Sequence, residues 1–286
     1  MPELPEVEAL VAFLTSRAVG RVVARVDLAA LSVLKTYDPP VTSLQGLEIV
    51  AVSRHGKFLD LDVSGLHLVI HLARAGWLRW SDALSPVPPK MGKGPLAVRV
   101  HLDDGSGFDL TEAGTQKRLA MYVVHAPTDV PGVARLGPDP LAPGFEAADL
   151  GALLTSSRQQ LKGLLRDQSV LAGVGNAYSD EVLHAARLSP FRLGSALTPG
   201  EVETLYAALQ EVLRGAVARA HGLAAGQLKK EKKTAMRVHG RTGLPCPVCG
   251  DEVREVSFAD SSLQYCATCQ TGGKPLADRR MSRLLK

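Results

Sequence analysis

The 286-residue sequence predicts an α+β protein with several domains: an N-terminal β domain, a helical domain and a C-terminal zinc-bound β-hairpin. Three observations support this fold class. Short strand patterns dominate up to residue 125, helical patterns follow residue 145, and the four cysteines near the C-terminus have the spacing of a metal site. Many short strands at this spacing indicate a β-sandwich or a barrel.

The N-terminal region combines one helix with a series of strands. Apolar residues spaced on one face predict a helix over residues 5–18, with Pro5 in its first turn. Clean alternation predicts a strand over residues 57–63, and Asp104-Gly105 is typical of a hairpin turn. The predicted strands cover residues 22–28, 47–52, 57–63, 66–72, 77–80, 96–102 and 108–110.

Five prolines between residues 126 and 145 predict an ordered linker, because proline at this density cannot continue a helix or a central strand. Helical patterns follow over residues 147–154, 160–165, 176–186 and 198–220, the last with a capping box from Thr198 and Glu201. The run KKEKK at residues 229–233 is interpreted as a solvated loop. The predicted domain limits are 1–125, 146–240 and 241–286, with the linker at 126–145.

The charge is unevenly distributed along the chain. The net charge is +4, but residues 221–286 carry 12 basic and six acidic side chains, so the first 220 residues have a net charge of −2. A basic C-terminal quarter indicates a polyanionic partner, although a merely solvated basic tail has the same charge. An apolar content of 45% excludes a disordered chain, and no apolar run is long enough to span a membrane. The start, MPELPEVEAL, lacks the pattern of a secretory signal, so we expect a soluble, cytoplasmic protein.

The only cysteines are Cys246, Cys249, Cys266 and Cys269, in two C-x2-C pairs separated by sixteen residues. Each pair can place two thiolates on one knuckle, and two knuckles supply the four tetrahedral ligands of one zinc ion. Disulfides or a redox pair are the alternatives, which a cytosolic chain without other cysteines disfavours. The stretches EVREVSF and SLQYC predict two strands between the pairs. Zinc with four protein ligands has no open coordination position, so the expected ion is structural.

The second residue, Pro2, is a candidate nucleophile. Removal of Met1 would expose a secondary amine, with Glu3 beside it and Glu6 one turn further on. A terminal amine has a reference pKa near 8 against about 10.4 for lysine, so roughly two-hundredfold more of it is neutral at pH 7.4. Such an amine can attack a sugar C1′ and form an iminium that permits β-elimination, while Glu3 moves protons on the sugar. The alternative is an ordinary chain start, in which Glu3 and Glu6 favour a helix N-terminus.

Four motifs occur together and in order: PELPEVE at residues 2–8, HGKFLDL at 55–61, GVGNAYSDE at 173–181, and the four-cysteine finger. With them the chain closely resembles the formamidopyrimidine-DNA glycosylase/endonuclease VIII (Fpg/Nei) family over essentially its whole length. LPEVE and GVGN resemble the formamidopyrimidine branch more. The resemblance implies an antiparallel β-sandwich, a helical domain with a helix-two-turn-helix, and a zinc hairpin, with damaged double-stranded DNA held in the cleft.

The resemblance also implies catalytic roles. Pro2 corresponds to the Schiff-base nucleophile, and Glu3 to the acid that opens and protonates the deoxyribose. Lys57 corresponds to the lysine that reaches the lesion and its phosphate, and Glu6 is a candidate for the lesion pocket. No catalytic metal or organic cofactor is implied, and we expect a monomer acting on DNA in the cytoplasm, at the nucleoid.

Two further residues correspond to DNA contacts. Asn176 resembles the phosphate clamp, as the cap of a helix whose N–H groups bind an anion, and Gly173 and Gly175 let the backbone approach closely. His71 corresponds to a position near the cleft, although a histidine that follows an apolar run is equally compatible with the core.

The chain departs from the family at the finger tip. Five residues before the third cysteine the family has an arginine that grips the lesion phosphates, and here this residue is Ser261. Serine donates one hydrogen bond but carries no charge. Lys274, Arg279 and Arg280, which follow the finger, are candidates to replace the arginine.

It also departs where the family fills the hole left by the flipped base. A methionine of the family is replaced by Arg74, and no Arg-x-Phe pair occurs in the later loop, so Arg74, Gln116 and Lys117 are candidate wedges. The segment at residues 222–241 does not resemble the loop that covers an oxidised guanine in the family.

The favoured function is therefore a DNA repair enzyme that flips and excises an oxidised base through Pro2 and nicks the strand at the abasic site. One alternative is a lyase with weak glycosylase activity that acts on abasic sites or oxidised pyrimidines. Another is a zinc-ribbon protein that binds lesions without chemistry.

Overall fold

The computed structural model describes residues 1–92, 94–258 and 261–277. It forms two compact units, one of residues 1–136 and 220–229, the other of residues 137–219 and the described residues from 230 onward. Residues 126–136 and 220–229 therefore cluster with the N-terminal unit, whereas the predicted domain limits put them in the linker and in the helical domain.

The first unit is a two-sheet sandwich with one long helix. Its elements are α1 (Leu4–Ala18), β1 (Val23–Leu28), β2 (Ile49–His55), β3 (Phe58–Val63), β4 (Leu66–His71), β5 (Gly76–Ser81), β6 (Leu96–Leu102), β7 (Gly107–Glu112), β8 (Ala120–Val124) and α2 (Pro131–Ala134). One antiparallel sheet has the order β1-β6-β7-β5, and the other has the order β2-β3-β4-β8. The predicted sandwich is confirmed, and strand β8 is an addition to the predicted strands.

The core of this unit lies between the two sheets and under α1. Strand β3 contributes Leu59, Leu61 and Val63 to it. The alternating Asp60 is also buried, and its carboxylate contacts His55 at 3.1 Å and His67 at 3.0 Å. Leu10 of α1 is completely buried in the same cluster. At roughly 1.5–3 kcal/mol for each fully buried large apolar side chain, this packing fixes the helix against the sheets and so fixes its N-terminus.

The second unit consists of helices and the predicted hairpin. Its elements are α3 (Ala147–Thr155), α4 (Leu161–Arg166), α5 (Asn176–Ala185), α6 (Pro199–Ala220), α7 (Leu228–Ala235), β9 (Val253–Ser257), β10 (Ser262–Cys266) and α8 (Ala267–Thr271), with the last residue of α6 and the first two of α7 in the first unit. Strands β9 and β10 pair antiparallel as predicted. Thr198 and Glu201 form the predicted capping box before α6.

The prediction of a solvated loop at KKEKK is wrong, because these residues lie in α7. Leu228 buries the start of the helix, Glu231 pairs with Arg219 at 3.2 Å, and the Lys232 ammonium lies 4.6 Å from the centre of the Tyr178 ring. The composition of the run is polar, but its contacts to distant segments make it helical. Among the described residues, no helix is both long and apolar enough to cross a membrane.

Candidate functional site

The N-terminus is fixed by the first turn of α1. Pro2 is buried, Glu3 is 2% exposed and Glu6 is 3% exposed. The backbone N–H of Glu3 donates to Glu6 Oε2 at 2.8 Å, while the Glu3 carboxylate accepts from the N–H of Glu6. This reciprocal capping box satisfies two N–H groups of the helix start and holds both carboxylates in one orientation. Pro2, Glu3 and Glu6 are thus brought together in one rigid turn.

Lys57 lies in the two-residue turn between β2 and β3, and Gly56 before it adopts a left-handed φ of 55°. The lysine is only 8% exposed. Such a turn needs a positive φ, which glycine adopts without a steric penalty. The glycine therefore explains how the chain turns tightly enough to place a long cationic side chain at the sheet edge.

His71 lies at the end of β4, opposite Phe58, with their ring centres 4.6 Å apart. Burial, together with the nearby charge of Lys57, lowers the pKa of His71 to about 4. The imidazole is therefore neutral at physiological pH, which leaves Lys57 as the cation of this pair. The ring contact with Phe58, the residue after Lys57, places His71 beside the turn that holds Lys57.

The candidate wedge residues are exposed. Arg74 follows Ala73, which has a positive φ of 53°, in the turn before β5. Gln116 and Lys117 lie in an exposed loop, and Lys117 donates to the carbonyl oxygen of Glu112.

A residue that the sequence did not single out, Glu112, organises that loop. It is 3% exposed, and its Oε1 accepts the N–H groups of Arg118 at 2.8 Å and Leu119 at 3.0 Å. A buried carboxylate with two backbone donors gives the loop a defined base. The only signal in the sequence is an acidic residue at the end of a strand, which is too common to indicate this role.

In the second unit, Asn176 is the first residue of α5, and Gly175 is the N-cap, which corrects the prediction that Asn176 caps the helix. The Asn176 side chain donates from Nδ2 to the Ser262 carbonyl oxygen at 2.8 Å, so it is tied to strand β10. Its Oδ1 is buried and has no hydrogen-bond partner among the described residues.

Behind Asn176 lies a buried ionic network that sequence reasoning missed. Lys162 is 4% exposed and donates to the Asn176 carbonyl oxygen, to Ser179 Oγ and to Asp180 Oδ1 at 2.6–2.7 Å. The other Asp180 oxygen contacts His239 Nδ1 at 2.7 Å. All three ammonium protons of Lys162 are therefore used to fix the start of α5.

The next residue, Glu181, holds the segment that enters the finger. Its carboxylate accepts the backbone N–H groups of Arg237, Val238 and His239 at 2.8–2.9 Å. Asp180 and Glu181, the last two residues of GVGNAYSDE, thus fix a segment almost 60 residues further along the chain.

The four cysteines fit one zinc ion. Their Sγ atoms all lie within 4.8 Å of one another, and the Sγ–Sγ distances are 3.9 Å for Cys246–Cys269 and 3.4 Å for Cys249–Cys266. Zn–S bonds of about 2.3 Å in a tetrahedron place sulfurs about 3.8 Å apart. Four thiolates complete the coordination of zinc, so the ion would hold the hairpin and take no part in chemistry.

The finger tip lacks the arginine of the family. Ser261 stands at this position, and its carbonyl oxygen accepts a hydrogen bond from the N–H of Phe258 at 2.8 Å. Of the three candidates to replace the arginine, Lys274 is exposed after α8, and Arg279 and Arg280 lie outside the described residues.

Residues 220–229 pack on the first unit. Trp77 Nε1 donates to the Ala225 carbonyl oxygen at 2.9 Å, and the Lys229 ammonium lies 4.6 Å from the centre of the Trp77 ring. Ala220, Ala225 and Leu228 are buried in the sandwich core. Residues 222–229, the first part of the segment that does not resemble the guanine-covering loop, therefore belong to the sandwich unit.

Three family models match the chain. "Formamidopyrimidine-DNA glycosylase N-terminal domain" matches residues 1–118, "Formamidopyrimidine-DNA glycosylase H2TH domain" matches residues 136–226, and "Zinc finger found in FPG and IleRS" matches residues 243–272.

Individual proteins agree with the family models. An uncharacterized formamidopyrimidine-DNA glycosylase-like protein of Mycobacterium tuberculosis is 57% identical over 151 residues, which is 53% of this chain and 94% of that protein. The formamidopyrimidine-DNA glycosylase of Desulforamulus reducens is 34% identical over 94% of this chain and 99% of its own length. The crystal structure of MutM (Fpg) from Thermus thermophilus superimposes with a TM-score of 0.80 at 33% identity, covering 96% of this chain and 100% of that chain.

Proposed function

Because the chain belongs to the formamidopyrimidine-DNA glycosylase family, we propose that it excises a damaged base from double-stranded DNA and then nicks the strand. The observation that carries the proposal is the pairing of Pro2 with Glu3, both buried at the capped start of α1. An amine nucleophile beside a carboxylic acid is the combination that base excision through a Schiff base requires.

The chemistry follows from these two residues. After removal of Met1, the Pro2 nitrogen attacks C1′ of the flipped nucleotide, and the bond between C1′ and the base breaks. The Pro2 nitrogen gives up its proton, the base leaves carrying one proton, and the sugar ring opens with a second proton from Glu3, which leaves an iminium between Pro2 and C1′. Loss of a proton from C2′ then expels the 3′ phosphate by β-elimination, and hydrolysis of the iminium frees Pro2.

The remaining candidates bind DNA in this proposal. Lys57 contacts the lesion phosphate as the cation of the pair with neutral His71. Asn176 contacts a phosphate through the start of α5, where backbone N–H groups favour anions. Because Ser261 carries no charge, Arg279 and Arg280 are proposed to supply the missing positive charge near the finger. Replacing both by alanine should then weaken DNA binding and lower its dependence on salt.

A second candidate is an abasic-site or oxidised-pyrimidine lyase with weak glycosylase activity. It is favoured by the segment at residues 222–241, which does not resemble the loop that covers an oxidised guanine and which starts on the sandwich, where Trp77 bonds to Ala225. The two candidates share Pro2 and the lyase step, and they differ in the base that is released.

Borohydride trapping tests the proposal. The purified chain is incubated with duplexes that carry an abasic site, oxidised guanine, ring-opened purine or oxidised pyrimidine, and covalent adducts are counted. We expect an adduct on the abasic duplex and on at least one damaged base. No adduct on any duplex would reject both candidates and leave a lesion-binding protein without chemistry.

Variants sharpen the test. Glu3→Gln should slow turnover at least about a hundredfold, because a positioned proton donor contributes that much or more. Glu8→Gln is the matched control: Glu8 lies on the same helix, but its carboxylate pairs with Arg54 and not with the capping box. We also propose that the chain acts as a monomer, which size-exclusion chromatography with light scattering checks.

A further inference from the structure

A buried histidine contacts one of the zinc ligands. His184 lies in the last turn of α5, is 2% exposed, and places its Nε2 3.2 Å from Cys246 Sγ. It belongs to the same unit as the finger. Neither the four-cysteine spacing nor the family models assign a role to this residue.

The chemistry of the ligand settles which atom carries the proton. A zinc-bound cysteine is a thiolate and can only accept a hydrogen bond, so Nε2 must donate. His184 Nδ1 is buried and has no hydrogen-bond partner among the described residues. Within the described part of the chain, the contact with the Cys246 sulfur is therefore the ring's one polar contact.

A buried histidine at this position lowers the stability of the fold unless its contact with the sulfur offsets the cost of burying the ring nitrogens. An unpaired buried nitrogen costs about 1–3 kcal/mol, and a leucine or phenylalanine would fill the space without this cost. Four thiolates give a zinc site a net charge of −2, and hydrogen bonds to the sulfurs offset that charge. A donor on a rigid helix can do this without losing much conformational entropy.

We propose that His184 is a positioning residue of the zinc site: it donates Nε2–H to the Cys246 thiolate and thereby slows zinc loss and fixes α5 to the finger. The same helix begins at Asn176, eight residues or roughly 12 Å away. On the proposed function, zinc occupancy would then also hold the phosphate-binding end of α5 in place.

Nitrogen-15 NMR of the full chain tests the contact directly and without activity. In the zinc-loaded protein we expect the His184 proton on Nε2, and after replacement of zinc by cadmium-113 a coupling between that proton and the metal through the Cys246 sulfur. A proton on Nδ1 with an unprotonated Nε2 would overturn the proposal, whatever the enzyme does to DNA.

Variants test the consequence. His184→Leu removes the donor, and His184→Gln retains an amide N–H at a similar reach. Release of zinc to a chromogenic chelator should be about tenfold or more faster for His184→Leu, because loss of an outer-shell partner typically costs 10–100-fold in metal affinity. It should change less than about threefold for His184→Gln, and stay at the wild-type rate for the matched control His221→Leu, whose histidine is exposed.

Wild-type zinc release from His184→Leu would overturn the proposal. If that variant does not fold, release from His184→Gln as fast as from unfolded protein would do the same, since the glutamine keeps the donor. Unchanged borohydride trapping bears only on the proposed function, so the two failures are distinguishable.

Discussion

Replacing Lys162 by methionine should destabilise the second unit strongly. The lysine and Asp180 are 4% and 0% exposed and approach to 2.6 Å. Methionine fills much of the space but removes the charge, so the Asp180 carboxylate is left buried with His239 as its remaining side-chain partner. Breaking one partner of a buried ion pair costs about 3–5 kcal/mol, because the other charge stays desolvated.

The size of the coupling follows from a double-mutant cycle. Asp180→Asn leaves the Lys162 ammonium without its counter-ion and should cost about 3 kcal/mol on its own. Combined with Lys162→Met, no unpaired charge remains, so the double variant should be at least about 2 kcal/mol more stable than the sum of the single effects predicts. Lys230→Met, at an exposed lysine of the same unit, should change stability by less than about 0.5 kcal/mol.

The assay uses the placement of the two tryptophans. Trp77 and Trp80 both lie in the first unit, so urea unfolding followed by their fluorescence reports the sandwich, while circular dichroism at 222 nm also reports the helices of the second unit. We expect Lys162→Met to shift the circular-dichroism transition to lower urea. Additive single effects, with a coupling below about 0.5 kcal/mol, would refute the assignment of a buried ion pair.

Three further predictions concern His71, Trp77 and the zinc hairpin. The pKa of His71 is lowered from 6.5 to about 4 in the folded state, so the unfolding free energy of the wild type should fall as pH drops from 6.5 to 4, by at most about 3 kcal/mol from this group. His71→Phe should lose this part of the pH dependence, and an equal pH dependence in both proteins would contradict the prediction. Trp77→Phe removes the donor to Ala225 and should speed hydrogen exchange in residues 220–229 about fivefold, whereas Trp80→Phe should not. Equal exchange rates in both variants would show that the hydrogen bond from Trp77 does not stabilise this segment. Chelation of zinc should unfold the hairpin and leave the urea transition detected by tryptophan fluorescence unchanged. If chelation also abolished the tryptophan-detected transition, the zinc ion would not be a local structural ion.

The zinc hairpin could be predicted from the sequence because the residues that determine it lie close together in the chain. Two C-x2-C pairs fix the four sulfurs, and the strands between them alternate visibly. Strand β3 could be predicted equally well, since Leu59, Leu61 and Val63 alternate with polar residues and all three lie in the core. The helix at the N-terminus followed from one-face spacing and from Pro5 in its first turn.

The polar networks could not be predicted, because they join segments that are far apart in the chain. Lys162 meets Asp180 across 18 residues, and Glu181 meets Val238 across 57. Helix α7 is polar in composition, and its place depends on Leu228 and on an ion pair with Arg219. Such contacts leave no periodic pattern, so only the folded chain reveals them.

The central claim is that the Pro2 nitrogen performs the chemistry. The most direct measurement is mass spectrometry of the borohydride-trapped complex after proteolysis, with intact-mass analysis of the free chain to establish that Met1 has been removed. We predict that the sugar remnant is found on the N-terminal peptide, on Pro2, and that Pro2→Gly, which keeps a primary terminal amine, forms less adduct. An adduct that maps to Lys57, or a fully trapped chain that still carries Met1, would contradict the account.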